Sequence, residues 1–366
     1  MKVIILIIHS FNISGVLTQS LILSRYLKSI GYDVLIIGKK GKYGETIFRK
    51  HGFKTFRLSS KLIDHIQNSN FYSSLDSNVK MIICESIFSY STFIKIFPFF
   101  PKSTTLLRVH EEINEGLLKR NLWQSESDVN IRQIFNQFQL ILFPSTHTAN
   151  FYSKEIGKNK FYVVPITINE DMPIKEYKRD KIFRILQLGT VYERKNPILT
   201  LIAFEIFLTD YSPNSAQLLF VGARGANPRE RAYINELKSE IVKRKLDNKV
   251  RIIKTNISPE KYISRASLVT LHSVSECTPT VFLEANYLGI KVASANVGGI
   301  SEIVKHGING YLFEFGDCKA QAEIFGKAYL AFLHKESKSS HLSTYYLDNF
   351  SNSHFFNRIK EIFEEI

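Results

Sequence analysis

The chain has 366 residues, which at roughly 150 residues per domain corresponds to about two domains, each able to bury its own core, so a small stapled scaffold is excluded. With 44% hydrophobic and 22% charged residues, it is neither a disordered nor a fibrous chain. A net charge of +14 suits anionic partners (phosphate esters, nucleic acid or an acidic membrane face), and three widely spaced cysteines, Cys84, Cys277 and Cys318, exclude a disulfide framework or a zinc knuckle and make a reducing cytoplasm the default compartment.

Val3 to Ile8 is an uninterrupted apolar run, too short for a signal segment, and predicts a buried strand. Apolar residues near a 3.6 period then predict a helix from about Val16 to Ile30, ended by Gly31, and Asp33 to Ile37 predicts a second strand. Two short apolar strands around one helix imply a parallel sheet. Further strands are expected at Met81 to Cys84, Thr105 to Val109, Leu140 to Phe143 and Phe161 to Val164. Between the first two lies Phe93 to Lys102, FIKIFPFFPK, whose mixed aromatics and lysines read either as a packed helix end or as a peripheral anchor on an anionic bilayer.

The polar stretch after Pro165, ITINEDMPIKEYKRDK, reads as a linker. Strands expected at Phe183 to Leu188, Leu218 to Val221, Val250 to Ile253, Leu268 to Leu271 and Lys291 to Ala293 then repeat the architecture of the first half. The expectation is two doubly wound α/β domains facing a central cleft. The first spans residues 1–168, with a final helix at about 350–366 packing back on it, and the second spans 180–346. In such sheets ligands bind beyond the carboxyl ends of the strands.

Absent motifs narrow the chemistry. There is no GxxxxGK[ST] loop, VGARG at 221–225 is not a dinucleotide fingerprint, HEEIN at 110–114 lacks the second histidine of a zinc peptidase helix, and no DxD pair offers a metal to a diphosphate. Any bound anion is therefore expected to be neutralised by protein groups, with no metal and no cofactor.

The densest signal is SECTPTVFLEANYLG, Ser275 to Gly289. Thr278 is expected to cap a helix that has Pro279 at its first position and closes at Gly289. That leaves the N–H groups of Thr280 and Val281 facing out of a helix N-terminus, where they can hold phosphate. Glu284 lies on the face of Thr280 and could accept from a ribose, and Glu276 sits just before the cap. Upstream, GTVYERKNP follows a strand, turns at Gly189 and presents Arg194 and Lys195, a pairing suited to a diphosphate. Each feature alone fits an ordinary surface; their combination points to an anionic ligand.

The stretch SECTPTVFLEANYLGIKVASANVGGISEIVKHGINGYLF, Ser275 to Phe313, resembles the C-terminal signature of family 4 retaining glycosyltransferases, with Gly189, Arg194 and Lys195 where that family places its diphosphate-binding basic pair. The resemblance implies the GT-B fold, a nucleoside-diphosphate sugar as donor and substrate, and no obligatory metal. It implies Arg194, Lys195, Thr280 and Val281 on the diphosphate, Glu284 on the ribose and Glu276 on the donor sugar as a catalytic residue. More loosely, SGVLTQSLILSRYLKSIGYDVLII resembles the family's opening loop and helix, with Ser14 in place of the first glycine and Gly15 retained, and His110 resembles its catalytic cleft histidine. Ser145 fits the same pattern or caps a helix.

The implied function is retaining transfer of a sugar to a glycan or lipid-linked acceptor in surface polysaccharide synthesis, at the inner face of the cell membrane. Two alternatives stay open: an epimerase or phosphorylase of the same fold, and a non-enzymatic basic protein that binds membrane or nucleic acid. Nucleic acid is not expected as a partner, because no basic run with interleaved aromatics forms an RNA module.

Overall fold

The computed structural model describes residues 2–12, 14–60, 62–63, 78–114, 118, 129–172, 181–254, 260–334 and 340–365. Half of the expected linker, residues 173–180, lies outside the described residues.

The apolar runs become strands buried on both faces. In β1 (Val3–Ser10), Ile5 and Ile7 enter one core while Ile4, Leu6 and Ile8 enter the core on the other face, the period-two alternation of a covered parallel sheet. The Gly15–Ser29 helix follows, and Gly31 takes φ +94°, a left-handed turn that glycine adopts without steric cost. Then come β2 (Asp33–Lys39), β3 (Lys54–Arg57), β4 (Val79–Glu85), β5 (Thr104–Arg108), β6 (Leu140–Phe143) and β7 (Lys160–Val163). They form one parallel sheet in the order β3-β2-β1-β4-β5-β6-β7.

The second sheet comprises β8 (Phe183–Leu188), β9 (Ala216–Val221), β10 (Val250–Ile253), β11 (Leu268–Leu271), β12 (Val292–Ala295) and β13 (Gly310–Phe313), parallel and ordered β10-β9-β8-β11-β12-β13. Both sheets reverse strand order beside their first strand, between β1 and β4 and between β8 and β11. Loops leaving the carboxyl ends there diverge and leave a crevice.

The chain divides into two units, Met1–Asn169 with Asn352–Ile366, and Glu170–Ser351. The Asn352–Glu364 helix belongs to the first unit through buried Phe355, Ile359 and Ile362, and the Phe356 ring stacks on Tyr26 at 4.4 Å. Among the described residues, no helix is long and apolar enough to cross a membrane.

The FIKIFPFFPK segment takes the packed alternative. Phe93, Ile96 and Phe100 are core residues, and Phe93 lies 5.1 Å from the Phe97 ring and 4.6 Å from Phe138. Phe97 and Phe99 pack partly buried against the same core, so most of the segment's apolar surface is spent on packing.

Candidate active site

In the second unit the expected residues come from the two strands that flank the switch point. β8 ends at Gly189, whose φ is +140° and whose N–H donates to Val221 O (2.9 Å). Gly222, at the end of β9, lies so close that a Cβ there would be 2.3 Å from Gly189 O. A single turn, Glu193–Lys195, carries Arg194 and Lys195 and stops at Asn196 in the left-handed region (φ +42°), a conformation asparagine tolerates better than most residues. Pro197 then starts the Pro197–Tyr211 helix.

This turn is stitched to the segment after β11. Val274 N–H donates to Arg194 O (2.8 Å), Arg194 Nη1 donates to Ser275 O (2.6 Å), and Gln187 Nε2 holds Lys195 O (2.7 Å). Glu276, 6% exposed, is gripped by both cations: Lys195 Nζ bonds Oε1 and Arg194 Nη1 lies 3.1 Å from Oε2. Tyr192 supports Arg194 from beneath, its hydroxyl accepting from Nε (2.5 Å) and its ring centroid lying 5.6 Å from the guanidinium carbon.

Burial opposes ionisation of Glu276, yet Lys195 and then Arg194 outweigh it and hold the carboxyl below its usual range. Burial likewise opposes the Arg194 cation, and Glu276 and Tyr192 more than restore it. Lys195 goes the other way: burial and Arg194 push its ammonium below the ordinary range despite Glu276. Two cations against one carboxylate leave the cluster one positive charge in excess.

Glu276 is also seated from behind. Gly299 N–H donates to Glu276 O (3.0 Å), and Gly298, at φ +58°, packs so tightly that a Cβ would fall 1.8 Å from that oxygen. These are the glycines of the VGG loop, and consecutive glycines were the readable signal for a close backbone approach.

The helix after Glu276 starts one residue later than expected. It spans Thr280–Tyr287 with Pro279 at the cap, in extended geometry (ψ 113°), and no side chain caps it. The expectation that Thr278 caps and Pro279 opens the helix is therefore corrected: the fixed φ of proline fits both positions, and ψ decides between them. Thr280 and Val281 are the first two helical residues, whose N–H groups have no intrahelical acceptor, while Phe282 N–H already bonds Pro279 O (3.1 Å). The Val281 side chain is core, leaving only its backbone to meet a ligand. Glu284, one turn on, is buried, and burial first and the charge of Glu260 second push its carboxyl up to about 7.

The first unit assembles its own set. Ser14, where the resemblance has glycine, is the N-cap of the Gly15–Ser29 helix, its Oγ accepting from Leu17 N–H (3.1 Å), and Gly15 is the exposed first residue. Ser145 likewise caps Thr146–Phe151, accepting from Thr148 N–H (3.1 Å). His110 leaves β5 and bonds through Nε2 to Glu85 Oε2 (2.7 Å), while Glu85 Oε1 accepts from Arg108 Nη1 (2.7 Å). Glu85 and Arg108 escaped the sequence reading. Their signal was a lone charge of each sign inside two apolar strands, MIICE and TTLLR, which β4–β5 pairing sets side by side.

Residues 169–344 match the family model for glycosyl transferases group 1. Comparison with curated proteins gave no match. Among solved structures, HepE of Anabaena, solved with UDP and with UDP-glucose, is 16% identical with a TM-score of 0.78 and full coverage of both chains. A glycosyltransferase of Rickettsia africae is also 16% identical with a TM-score of 0.78, covering 100% of this chain and 98% of its own. TarM of S. aureus, in a complex that includes UDP and α-GlcNAc-glycerol, is 12% identical with a TM-score of 0.72, at 99% and 100% coverage. Two parallel α/β sheets and these likenesses make the fold GT-B. Residues 169–344, just under half of the chain, are thus similar to the glycosyl transferases group 1.

Proposed function

We propose that this glycosyltransferase moves a sugar from a nucleoside-diphosphate donor, UDP-linked by the likeness to HepE and TarM, to a glycan or lipid-linked acceptor, with retained configuration and without a metal ion. The observation that carries the reading is the Arg194–Lys195–Glu276 cluster beside the open amide end of Thr280–Tyr287. Loss of the sugar leaves a nucleoside diphosphate whose developing charge must be stabilised. Two fixed cations and two unpaired N–H groups do this without rearranging at the moment of reaction. Glu276, held ionised, meets the donor sugar, Glu284 accepts from the ribose, and the acceptor hydroxyl attacks from the face the diphosphate leaves. For His110 the reading is a polar group that acts on the reacting sugar or acceptor.

A thermal-shift series with UDP, GDP and ADP in the presence of EDTA tests the donor side. A ligand at 100 times its dissociation constant stabilises by about 2.7 kcal/mol, so one diphosphate should raise the melting temperature clearly above the others. Turnover of donor sugar without any acceptor would favour the epimerase alternative.

The acceptor side of the reading rests on charge. Residues 39–57 hold seven lysines and arginines and one acid, Glu45, which is occupied by Arg57. Lys40, Lys42, Lys50 and Lys54 are exposed and make no ion pair with a described residue. Such a face suits an anionic membrane at which a lipid-linked acceptor is presented, in surface polysaccharide synthesis. Salt-sensitive cosedimentation with acidic but not neutral vesicles is expected; equal recovery with both would remove the membrane from the proposal.

A further inference from the structure

The buried charges behind His110 form a connected row. Glu85 closes β4 at the switch point, has no exposed surface, and divides its two oxygens between Arg108 Nη1 and His110 Nε2, each at 2.7 Å. Strand register pairs Glu85 with Arg108 directly. Arg108 is itself fixed, its guanidinium carbon 5.3 Å from the ring centroid of Phe355 on the C-terminal helix. Burial opposes the Glu85 charge, but Arg108 first and His110 next hold its carboxyl below the usual range. An ionised carboxylate can only accept, so the contact requires a proton on Nε2 of His110.

The ring's backbone is held as well. His110 N–H donates to Glu111 Oε2 (3.2 Å), and the other oxygen of Glu111 accepts from Ser86 Oγ (2.5 Å) and Ile87 N–H (2.7 Å). Glu85 thus holds the ring of this histidine and Glu111 its backbone. With Nε2 committed, Nδ1 is the nitrogen left to meet a ligand, and it makes no hydrogen bond with a described residue.

We propose that Glu85 is a positioning residue for sugar transfer: it fixes His110 as the Nε2–H ring and thereby presents Nδ1 to a substrate hydroxyl. The inference rests on the proposed role of His110 in that reaction. It adds which nitrogen acts, and which side chain, invisible to the substrate, decides this.

Two measurements test it. In a double-mutant cycle on kcat/KM, Glu85→Gln alone should lose about tenfold to a hundredfold, as when the partner orienting a functional histidine is removed. The same substitution in a His110→Ala background should lose nothing further, because Glu85 acts through a ring no longer there. Equal losses in both backgrounds would show a general structural role and overturn the proposal. Full activity of His110→Ala alone would instead sink the reading of His110, and the proposal with it. Should Glu85→Gln fail to fold, long-range ¹⁵N–¹H correlations in the unsubstituted protein decide: a His110 ring with its proton on Nε2 and a bare Nδ1 is expected, and a proton on Nδ1 overturns the proposal.

Discussion

Gly298 and Glu276, 22 residues apart, share one crowded point: a side-chain carbon on Gly298 would stand 1.8 Å from the Glu276 carbonyl oxygen. Gly298→Ala must therefore displace the backbone that carries Glu276, and its φ of +58° adds strain of its own. The expected outcome is a destabilised chain, by about 1 to 3 kcal/mol, with transfer lost in the fraction that remains folded. Chemical denaturation together with turnover per folded molecule checks this; wild-type turnover at wild-type stability would contradict it.

Substituting Glu276 should separate binding from turnover. Glu276→Gln removes the charge that Arg194 and Lys195 now share, so both cations become fully available to a diphosphate. Transfer should fall at least about 100-fold, the scale of losing one group fixed at a reacting centre, while UDP binds at least as tightly as before. Calorimetric titration against initial rates distinguishes this from simple misfolding, which would weaken both.

Glu284 should give donor binding a pH dependence. Its carboxyl titrates at about 7, raised by burial and by Glu260, and a ribose hydroxyl is held better by the ionised form. Affinity for a nucleoside diphosphate should rise from pH 6 to pH 8, and Glu284→Gln should flatten that rise. Stability runs in the opposite sense. The folded state keeps its proton while the unfolded carboxyl, at its ordinary 4.5, has lost it, so this group's contribution declines between pH 4.5 and about 7, at about 1.4 kcal/mol per pH unit.

His272 should make the second unit acid-sensitive. It is fully buried: Gly316 N–H donates to its Nε2 (2.9 Å), so its Nδ1–H donates to Gln321 Oε1 (2.7 Å), and burial lowers its pKa below 6.5. A histidine held neutral binds fewer protons folded than unfolded, so its stabilisation is present above pH 6.5 and is lost as the pH falls below that value. The urea midpoint should drop between pH 7 and pH 5, and His272→Gln should reduce the size of that drop.

Most strands were legible because parallel strands covered on both faces are continuous apolar runs; Leu140–Phe143 and Val250–Ile253 fall where the sequence placed them. The edge strand Lys54–Arg57, with an exposed lysine at one end and an exposed arginine at the other, carries no such signal. In the candidate site, local spacing revealed the basic turn, the paired glutamates and the helix start to within one residue. What it could not reveal depends on distance in the chain. Lys195 and Glu276 are 81 residues apart, and the partners of His110 are charges that only strand register brings together.

The central claim is that protein cations and helix amides, with no metal, hold a nucleoside diphosphate. Calorimetric titration of UDP into the wild-type protein and into Arg194→Ala, both in excess EDTA, tests it most directly. The account expects saturable one-site binding to the wild type, weakened about tenfold or more in the variant, as for loss of one charge-assisted hydrogen-bond pair. Binding that vanishes with EDTA, or that is unchanged in Arg194→Ala, would contradict it.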